Sequence, residues 1–566
     1  MNILGIIDTK IESGISFYTN KKLKFAISEE RISRIKMDGG FPYKSLNYFY
    51  KNYKKDLKSI DCIVFAGIVT PIPLLRMFNF LSKLSTKSNN FVLNYLLKKI
   101  EYLLSYKLKI YSSLNPNKKK INLMLSFLKF ILKKRLHPLL KNKPIYFIDH
   151  HLSHACCTYY SSGFNESFIA SFDGFGDGAS AKFFIGKNNK VNEIFKINAL
   201  DSFGLYYSLI TEYLGFIPEK HEGKITGLAA YGNYKKVKET FPFIFTNQKK
   251  IKYLGNFGFR GLKEIENKFS KYKSEDVASW LQYNTEKIIC KIISFYMKKY
   301  KQKNICLAGG LTANVKINQK IHELDVVNNI YIYPAMSDTG ISHGAILSKI
   351  KKKEILTNIF YGPKYSNDYI EKIIKKDKIK YKKLKNIEKE IALLLSKGKI
   401  VARFNGRMEY GPRALGNRSI LVEATNNSIN KSLNKKLNRT EFMPFAPTIL
   451  DKYANKCIKN LKGANLTSKF MNISFKVTNY MKKNFPAAVH VDKTSRPQIL
   501  SKKDNESYYK ILNEYYKITK NPVILNTSFN VHEEPIVMTP NDALRAFKKS
   551  NLDYLAIGNF LIKNDI

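Results

Sequence analysis

The 566-residue chain has no apolar run that reaches the roughly 18 residues a membrane helix needs. Its longest apolar stretch, Leu123 to Leu132, is interrupted by Ser126 and Lys129. The N-terminus, MNILGIIDTK, lacks the basic start, apolar block and small-residue cleavage site of a secretory signal. A cytoplasmic location with no membrane span is therefore the expectation. Cysteine is sparse: Cys62, Cys156, Cys157, Cys290, Cys306 and Cys457, with no CxxC among them. This excludes the usual zinc spacings and a disulfide framework, and leaves small buried side chains in a reducing compartment. Acidic residues are few, 45 against 96 Lys and Arg, for a net charge of +51. Such an excess can signal nucleic acid or an anionic surface. Here lysine is spread along the whole chain beside Ile, Asn and Tyr, which reads as compositional bias, so nucleic acid is not the expected partner. The charge still favours anionic substrates.

The length is too great for one compact core, so two domains are expected. The runs Ile3–Asp8, Ile15–Tyr18 and Leu23–Ile27 alternate as strands of a hairpin. From about 75 to 143, Leu, Lys, Tyr and Asn recur at helical spacing, which predicts a helical insertion with basic, solvated faces. NICLAGGLTANVKIN and the stretch Ile330–Ile350 each read as strand, glycine turn, helix, and this alternation implies an α/β class. A lysine-rich stretch without motifs suggests a linker at 356–388, between a first domain of 1–355 and a second of 389–566.

In Asp149-His150-His151-Leu152-Ser153-His154, His150 and His154 are four apart and would share one helix face, so both imidazoles could hold one metal. Asp173, in SFDGFGDG, and Asp338, in PAMSDTG, each follow a strand, where carboxylates of an α/β fold point into a ligand crevice. Two His with Asp ligands suit Fe(II), Mn(II) or Zn(II) better than Mg or Ca. Gly174 in DGFGDG, and Gly309 and Gly310 in AGGLTAN, would let backbone approach a phosphate. In a chain poor in arginine, Arg407, Arg413 and Arg418 lie within twelve residues. Arg439, Arg496 and the NTSFN run with Asn526, Ser528 and Asn530 extend a set of donors suited to phosphate or carboxylate.

Taken together, EERISRIKMDGGFP, DHHLSHACC, SFDGFGDG, HEGKITGLAAYG, LAGGLTANVKIN, PAMSDTGISHGA, GRMEYGPRALGNRSIL, FMPFAP, TSRPQIL and LNTSFNVHEEPIV occur in the order of a known family. The chain resembles the O-carbamoyltransferases of the nodulation-factor and cephalosporin (NodU/CmcH) type over almost its whole length. The resemblance implies an N-terminal actin-like (ASKHA, threonylcarbamoyl-transferase-like) domain and a C-terminal YrdC-like α/β domain. It implies that ATP and carbamoyl phosphate, with Mg, form carbamoyl-adenylate in the second domain. The first domain would then pass the carbamoyl group to a hydroxyl of a sugar, a glycan or a secondary metabolite. By the same resemblance, His150, His154, Asp173 and Asp338 would hold iron, and Lys36, Gly310 and Asn314 would touch nucleotide. Arg413, Arg418, Arg439, Arg496, Asn526, Ser528 and Asn530 would form the second site.

The chemistry fits these residue types. Cations offset the repulsion between two phosphate-bearing anions, and a metal can polarise a carbamoyl carbonyl. His151 and Asp8 are the candidate bases for the acceptor hydroxyl. Two departures from the family stand out. The histidine of its turn after the first strand is missing from Thr9-Lys10-Ile11-Glu12-Ser13-Gly14, and Met443 replaces an arginine before PFAP. The alternatives are a tRNA threonylcarbamoyl-type transferase, which the charge would suit, and a non-catalytic nucleotide-binding protein.

Overall fold

The computed structural model describes residues 1–68, 70–71, 76, 118–246, 250–437 and 442–564. The chain forms two compact units, Met1–Ile355 and Leu356–Ile566. Among the described residues, no helix is long and apolar enough to cross a membrane.

The first unit holds two five-stranded sheets with one shared plan. In the first, β1 (Ile3–Asp8), β2 (Ser13–Thr19) and β3 (Lys22–Ser28) form an antiparallel meander. β4 (Cys62–Ala66) and β5 (Ile145–Ile148) then add in parallel on the far side of β1. The second sheet repeats this with β6 (Glu166–Gly176), β7 (Ala179–Lys187) and β8 (Lys190–Asn198), followed by β9 (Asn304–Ala308) and β10 (Asn329–Ile332). The orders are β3-β2-β1-β4-β5 and β8-β7-β6-β9-β10. Helix α2 (His150–Ser162) packs on the second sheet and α5 (Ile341–Ile350) on the first, and the two helices pack on each other. Ile341, Ala345 and Ile346 of α5 bury against Ile3, Ile7, Cys62, Val64 and Ala66. At the crossing, a Cβ on Gly344 would lie 1.9 Å from the Ser153 carbonyl oxygen, so only glycine allows this separation.

Of the expected helical insertion, residues 77–117 lie outside the described residues. Helix α1 (Lys118–Arg135) follows, and Arg135 donates a hydrogen bond to the Arg76 carbonyl, 2.7 Å. Two further helices, α3 (Ser274–Lys299) and α4 (Val315–His322), complete the part of this unit used below.

The segment expected as a linker belongs to the second unit. Within it, helix α6 (Asn367–Lys376) is capped by Ser366 and buries Ile370 and Ile374, and β11 (Lys382–Lys383) pairs with the last strand. Its lysines occupy the outer face of an amphipathic helix, which is why composition alone suggested a linker. The second unit's eight-stranded mixed sheet has the order β11-β18-β17-β12-β13-β16-β14-β15. These strands are β12 (Val401–Phe404), β13 (Arg418–Glu423), β14 (Ala446–Leu450), β15 (Gln498–Leu500), β16 (Val523–Ser528), β17 (Tyr554–Ile557) and β18 (Phe560–Lys563). Helices α7 (Ile387–Ser396) and α8 (Glu506–Thr519) cover it, with Ile391, Leu395, Ile511 and Leu512 packed against Val401, Leu421 and Ile524.

One buried ion pair ties the start of the fold together. Arg76 donates from Nε and Nη2 to the two carboxylate oxygens of Asp8, each at 2.9 Å, and both side chains are about 2% exposed. The same guanidinium also donates to the carbonyls of Gly67, Ile68 and Thr70. Asp8→Ala would strand this charge and should lower stability by about 3–5 kcal/mol in denaturant unfolding, with part of the loss recovered in the double variant with Arg76→Met.

Candidate metal centre

Helix α2 carries the two histidines, and its first turn is fixed from two sides. Asp149 is the N-cap, accepting from the Leu152 N–H at 2.8 Å, and is itself held by Lys182 Nζ at 2.8 Å. Asp177 accepts from the N–H of His150 at 2.8 Å and of Ile68 at 2.9 Å. His150 and His154 then project from one face, as their spacing requires. Asp173 approaches from β6 and Asp338 from the turn after β10.

The four groups meet. His150 Nε2 lies 2.9 Å from Asp173 Oδ2 and 3.4 Å from Asp338 Oδ1. His154 Nε2 lies 3.1 Å and 3.4 Å from the same two atoms. All four ligand atoms fall within 4.8 Å of one another. Both imidazoles are fully buried. Gly176 forms the wall behind His150, where a Cβ would lie 2.1 Å from the ring. Gly309, with φ +98°, passes so close to Phe172 that a Cβ would meet its carbonyl oxygen at 2.0 Å. Two neutral nitrogen donors and two carboxylates on a walled, buried cluster fit a divalent transition metal.

The cluster's electrostatics agree. Burial opposes a charge on His150, but Asp338 and Asp173 outweigh it and hold the imidazole up to about 9. Burial likewise works against ionised Asp173, yet the hydrogen bonds from His150 and His154 keep its carboxyl well below the usual range. Without metal, a proton therefore sits where a cation would bind.

The other expected residues divide. Gly174 donates its N–H to Asp173 Oδ1 at 2.7 Å, and a Cβ on Gly310 would lie 3.1 Å from the same atom, so both line the cluster. Lys36 is half-buried in the segment leading to Gly39, which abuts the Thr9–Lys10 backbone. Asn314 caps α4, accepting from the N–H groups of Lys316 and Ile317, and donates to Gln282 of α3 at 2.8 Å. His151 does not face the cluster: Nδ1 pairs with Ser171 Oγ at 2.8 Å and Nε2 with the Ala179 carbonyl at 3.0 Å. Burial, and then His150, push it down to about 3. With both nitrogens engaged inside the core, it is not placed to act as a base. Asp8 is locked by Arg76 in the same way.

In the second unit, Arg418 is fully buried rather than open to substrate. Its guanidinium donates to the carbonyls of Asn405, Gly406 and Asn417 and stacks 3.7 Å from the Phe404 ring centroid. Burial holds it down to about 10. Arg407 similarly donates to the Tyr361 and Gly362 carbonyls. Asn526 is buried, donating to the Ala414 carbonyl and to Gln498. Asn530 donates to the Val531 and Glu534 carbonyls, and Ser528 ends β16 opposite Ser419. Arg413 is half-buried, and Arg439 lies outside the described residues. Arg496 lines a small, half-open pocket with Met443, Phe445, Ser474, His490 and Ser495.

Sequence reasoning passed over His490 and Glu12, among others. His490 lines the Arg496 pocket. Glu12 reaches the turn that carries Asp338, accepting from Ser337 Oγ at 3.0 Å and the Thr339 N–H at 2.8 Å. The one available signal for Glu12 was its place in the turn that lacks the family histidine.

Two outcomes are expected. Metal uptake by stripped protein should release close to one proton at pH 7–8, read in a weakly buffered titration, and affinity should fall roughly tenfold per pH unit below about 9. The sign follows from the raised folded value. The stability that His150 contributes to metal-free protein is complete below its ordinary 6.5 and is lost as pH rises through about 9. Gly176→Ala, which displaces the His150 ring, should weaken metal binding at least about tenfold by metal titration.

The family described as Carbamoyltransferase N-terminus matches residues 2–347, and Carbamoyltransferase C-terminus matches residues 392–564. Two uncharacterized proteins of Methanocaldococcus jannaschii are similar end to end. One is 31% identical across 100% of both chains, the other 33% identical across 99% of each. Nodulation protein NolNO of Sinorhizobium fredii is 30% identical over 95% of this chain and 77% of its own length. Since both halves of the family are matched, in order and over most of the chain, this protein belongs to the carbamoyltransferases and is an enzyme of that class.

Proposed function

We propose that the enzyme makes carbamoyl-adenylate from ATP and carbamoyl phosphate in the unit Leu356–Ile566. The unit Met1–Ile355 then transfers the carbamoyl group to a hydroxyl of a sugar, glycan or secondary metabolite. The observation that carries the transfer half is the buried His150–His154–Asp173–Asp338 cluster. The repeated strand order of its two sheets supports an actin-like (ASKHA) reading of that unit. The YrdC-like reading of the second unit rests on the sequence resemblance.

In the first step, water cleaves carbamoyl phosphate to carbamate and phosphate. A carbamate oxygen then displaces pyrophosphate from the α-phosphate of ATP. Arg496 and Arg413 are the residues that would offset the negative charge gathered there. In the second step the acceptor oxygen attacks the carbamoyl carbon, the bond to AMP breaks, and the hydroxyl proton leaves with solvent or product phosphate. Fe(II), or Mn(II) or Zn(II), held by the four-residue cluster would supply Lewis acidity at the carbamoyl oxygen. His150 and His154 keep their Nε2 atoms turned to that place, and Gly174 and Gly310 leave room beside Asp173.

Purified protein given ATP and carbamoyl phosphate without acceptor should release pyrophosphate and accumulate carbamoyl-adenylate, detected by mass spectrometry. Arg413→Ala and Arg496→Ala should each lower the rate at least about a hundredfold. If no adenylate forms with carbamoyl phosphate but one forms with threonine and bicarbonate, the two-step carbamoyl reading is wrong.

A further inference from the structure

The hairpin between β1 and β2 is more than a connection. Its turn, residues 9–12, is closed on itself: Thr9 Oγ1 donates to the Glu12 carbonyl at 2.7 Å and accepts from the Glu12 N–H at 3.3 Å. It is also buttressed from behind. The Gly40 N–H donates to the Thr9 carbonyl at 2.7 Å, and Ser13 Oγ donates to the Asp38 carbonyl at 2.7 Å. A Cβ on Gly39 would lie 1.8 Å from the Lys10 carbonyl oxygen, so the two segments are in direct contact. A turn held this firmly presents one side chain, Glu12, across to the second sheet.

That side chain ends on both neighbours of Asp338. Oε1 accepts from Ser337 Oγ at 3.0 Å and Oε2 from the Thr339 N–H at 2.8 Å. One carboxylate therefore bridges the residues before and after a cluster ligand. The turn it bridges, Asp338–Gly340, is a single 3₁₀ turn, too short to be rigid by itself. Hydrogen bonds made directly to metal ligands orient them, and their loss typically weakens binding 10–100-fold; those of Glu12 act one residue to either side, on the turn that carries the ligand.

We propose that Glu12 is a positioning residue for the cluster: by clamping Ser337 and Thr339 it fixes how Asp338 meets His150 and His154. This rests on reading the cluster as a metal site. The clamp works through hydrogen bonds, so the neutral isostere should preserve it. A glutamine can accept from the Thr339 N–H with its carbonyl oxygen and donate to Ser337 Oγ with its amide.

The test uses full-length protein stripped with a chelator and titrated with Co(II) alone, followed by the visible ligand-field bands. Glu12→Ala should bind Co(II) about 10–100-fold more weakly with shifted bands, at an unchanged melting temperature. Glu12→Gln should stay within about threefold of the parent and keep its spectrum. The proposal is overturned if Glu12→Ala binds like the parent, or if Glu12→Gln is as weak as Glu12→Ala, which would assign the effect to charge rather than to the clamp. Should Glu12→Ala not fold, Ser337→Ala, which removes one of the two bonds, carries the test. A several-fold loss supports the clamp, and unchanged affinity overturns it. A parent protein that takes up no Co(II) overturns the metal reading and the clamp with it. Binding by the parent that Glu12→Ala leaves intact overturns the clamp alone.

Discussion

The close crossing of α2 and α5 is the constraint on which the first unit rests. Each helix serves a different sheet, so the two sheets are joined through the contact between them. The contact is tight: Gly344 lies against the Ser153 backbone. α5 sits as closely on its own sheet, where a Cβ on Gly5 of β1 would lie 2.2 Å from the Ser342 carbonyl oxygen. The hydroxyls of Ser16 on β2 and Ser342 on α5 add a link at 2.8 Å between that helix and its sheet. Interiors packed this densely transmit small shifts instead of absorbing them. The histidines sit on one of these helices and Asp338 lies just before the other, so the geometry of the cluster is inherited from the crossing.

Much of this was legible in the sequence because it obeys short-range rules. The strands β1, β2 and β3 fall where apolar alternation placed them, and a four-residue spacing put His150 and His154 on one face. The aspartates were readable from the apolar runs before them, although Asp173 lies within β6 itself and only Asp338 lies beyond its strand. The shared strand order of the two sheets was not legible. Order is set by pairings between distant segments, such as β6 with β9, and nothing local in either strand encodes its partner. Glu12 escaped for the same reason, since its partners Ser337 and Thr339 are distant in the chain.

The arginine-rich loop shows how a correct chemical rule can mislead. A guanidinium suits phosphate because it offers several donors in a fixed plane, and the same property suits a loop with many unpaired carbonyls. Arg418 and Arg407 are used in that second way. Arg403, which the sequence reading passed over, joins them, buried and donating to the Gly416 carbonyl and to Ser507. Glu409 completes the inside of the loop by accepting from the N–H groups of Leu415 and Asn417. Composition could single out the loop but could not assign its arginines between ligand and scaffold.

The cluster's ligands arrive in an uneven sequence. His150, His154 and Asp173 lie within one short stretch, while Asp338 comes near the end of the first unit. A nascent chain emerging from the ribosome thus presents three of the four long before the fourth. Three donors alone leave the site open on one side, with no Asp338 to share the charge. The complete set of four is accordingly assembled late, after β9 and β10 have joined their sheet.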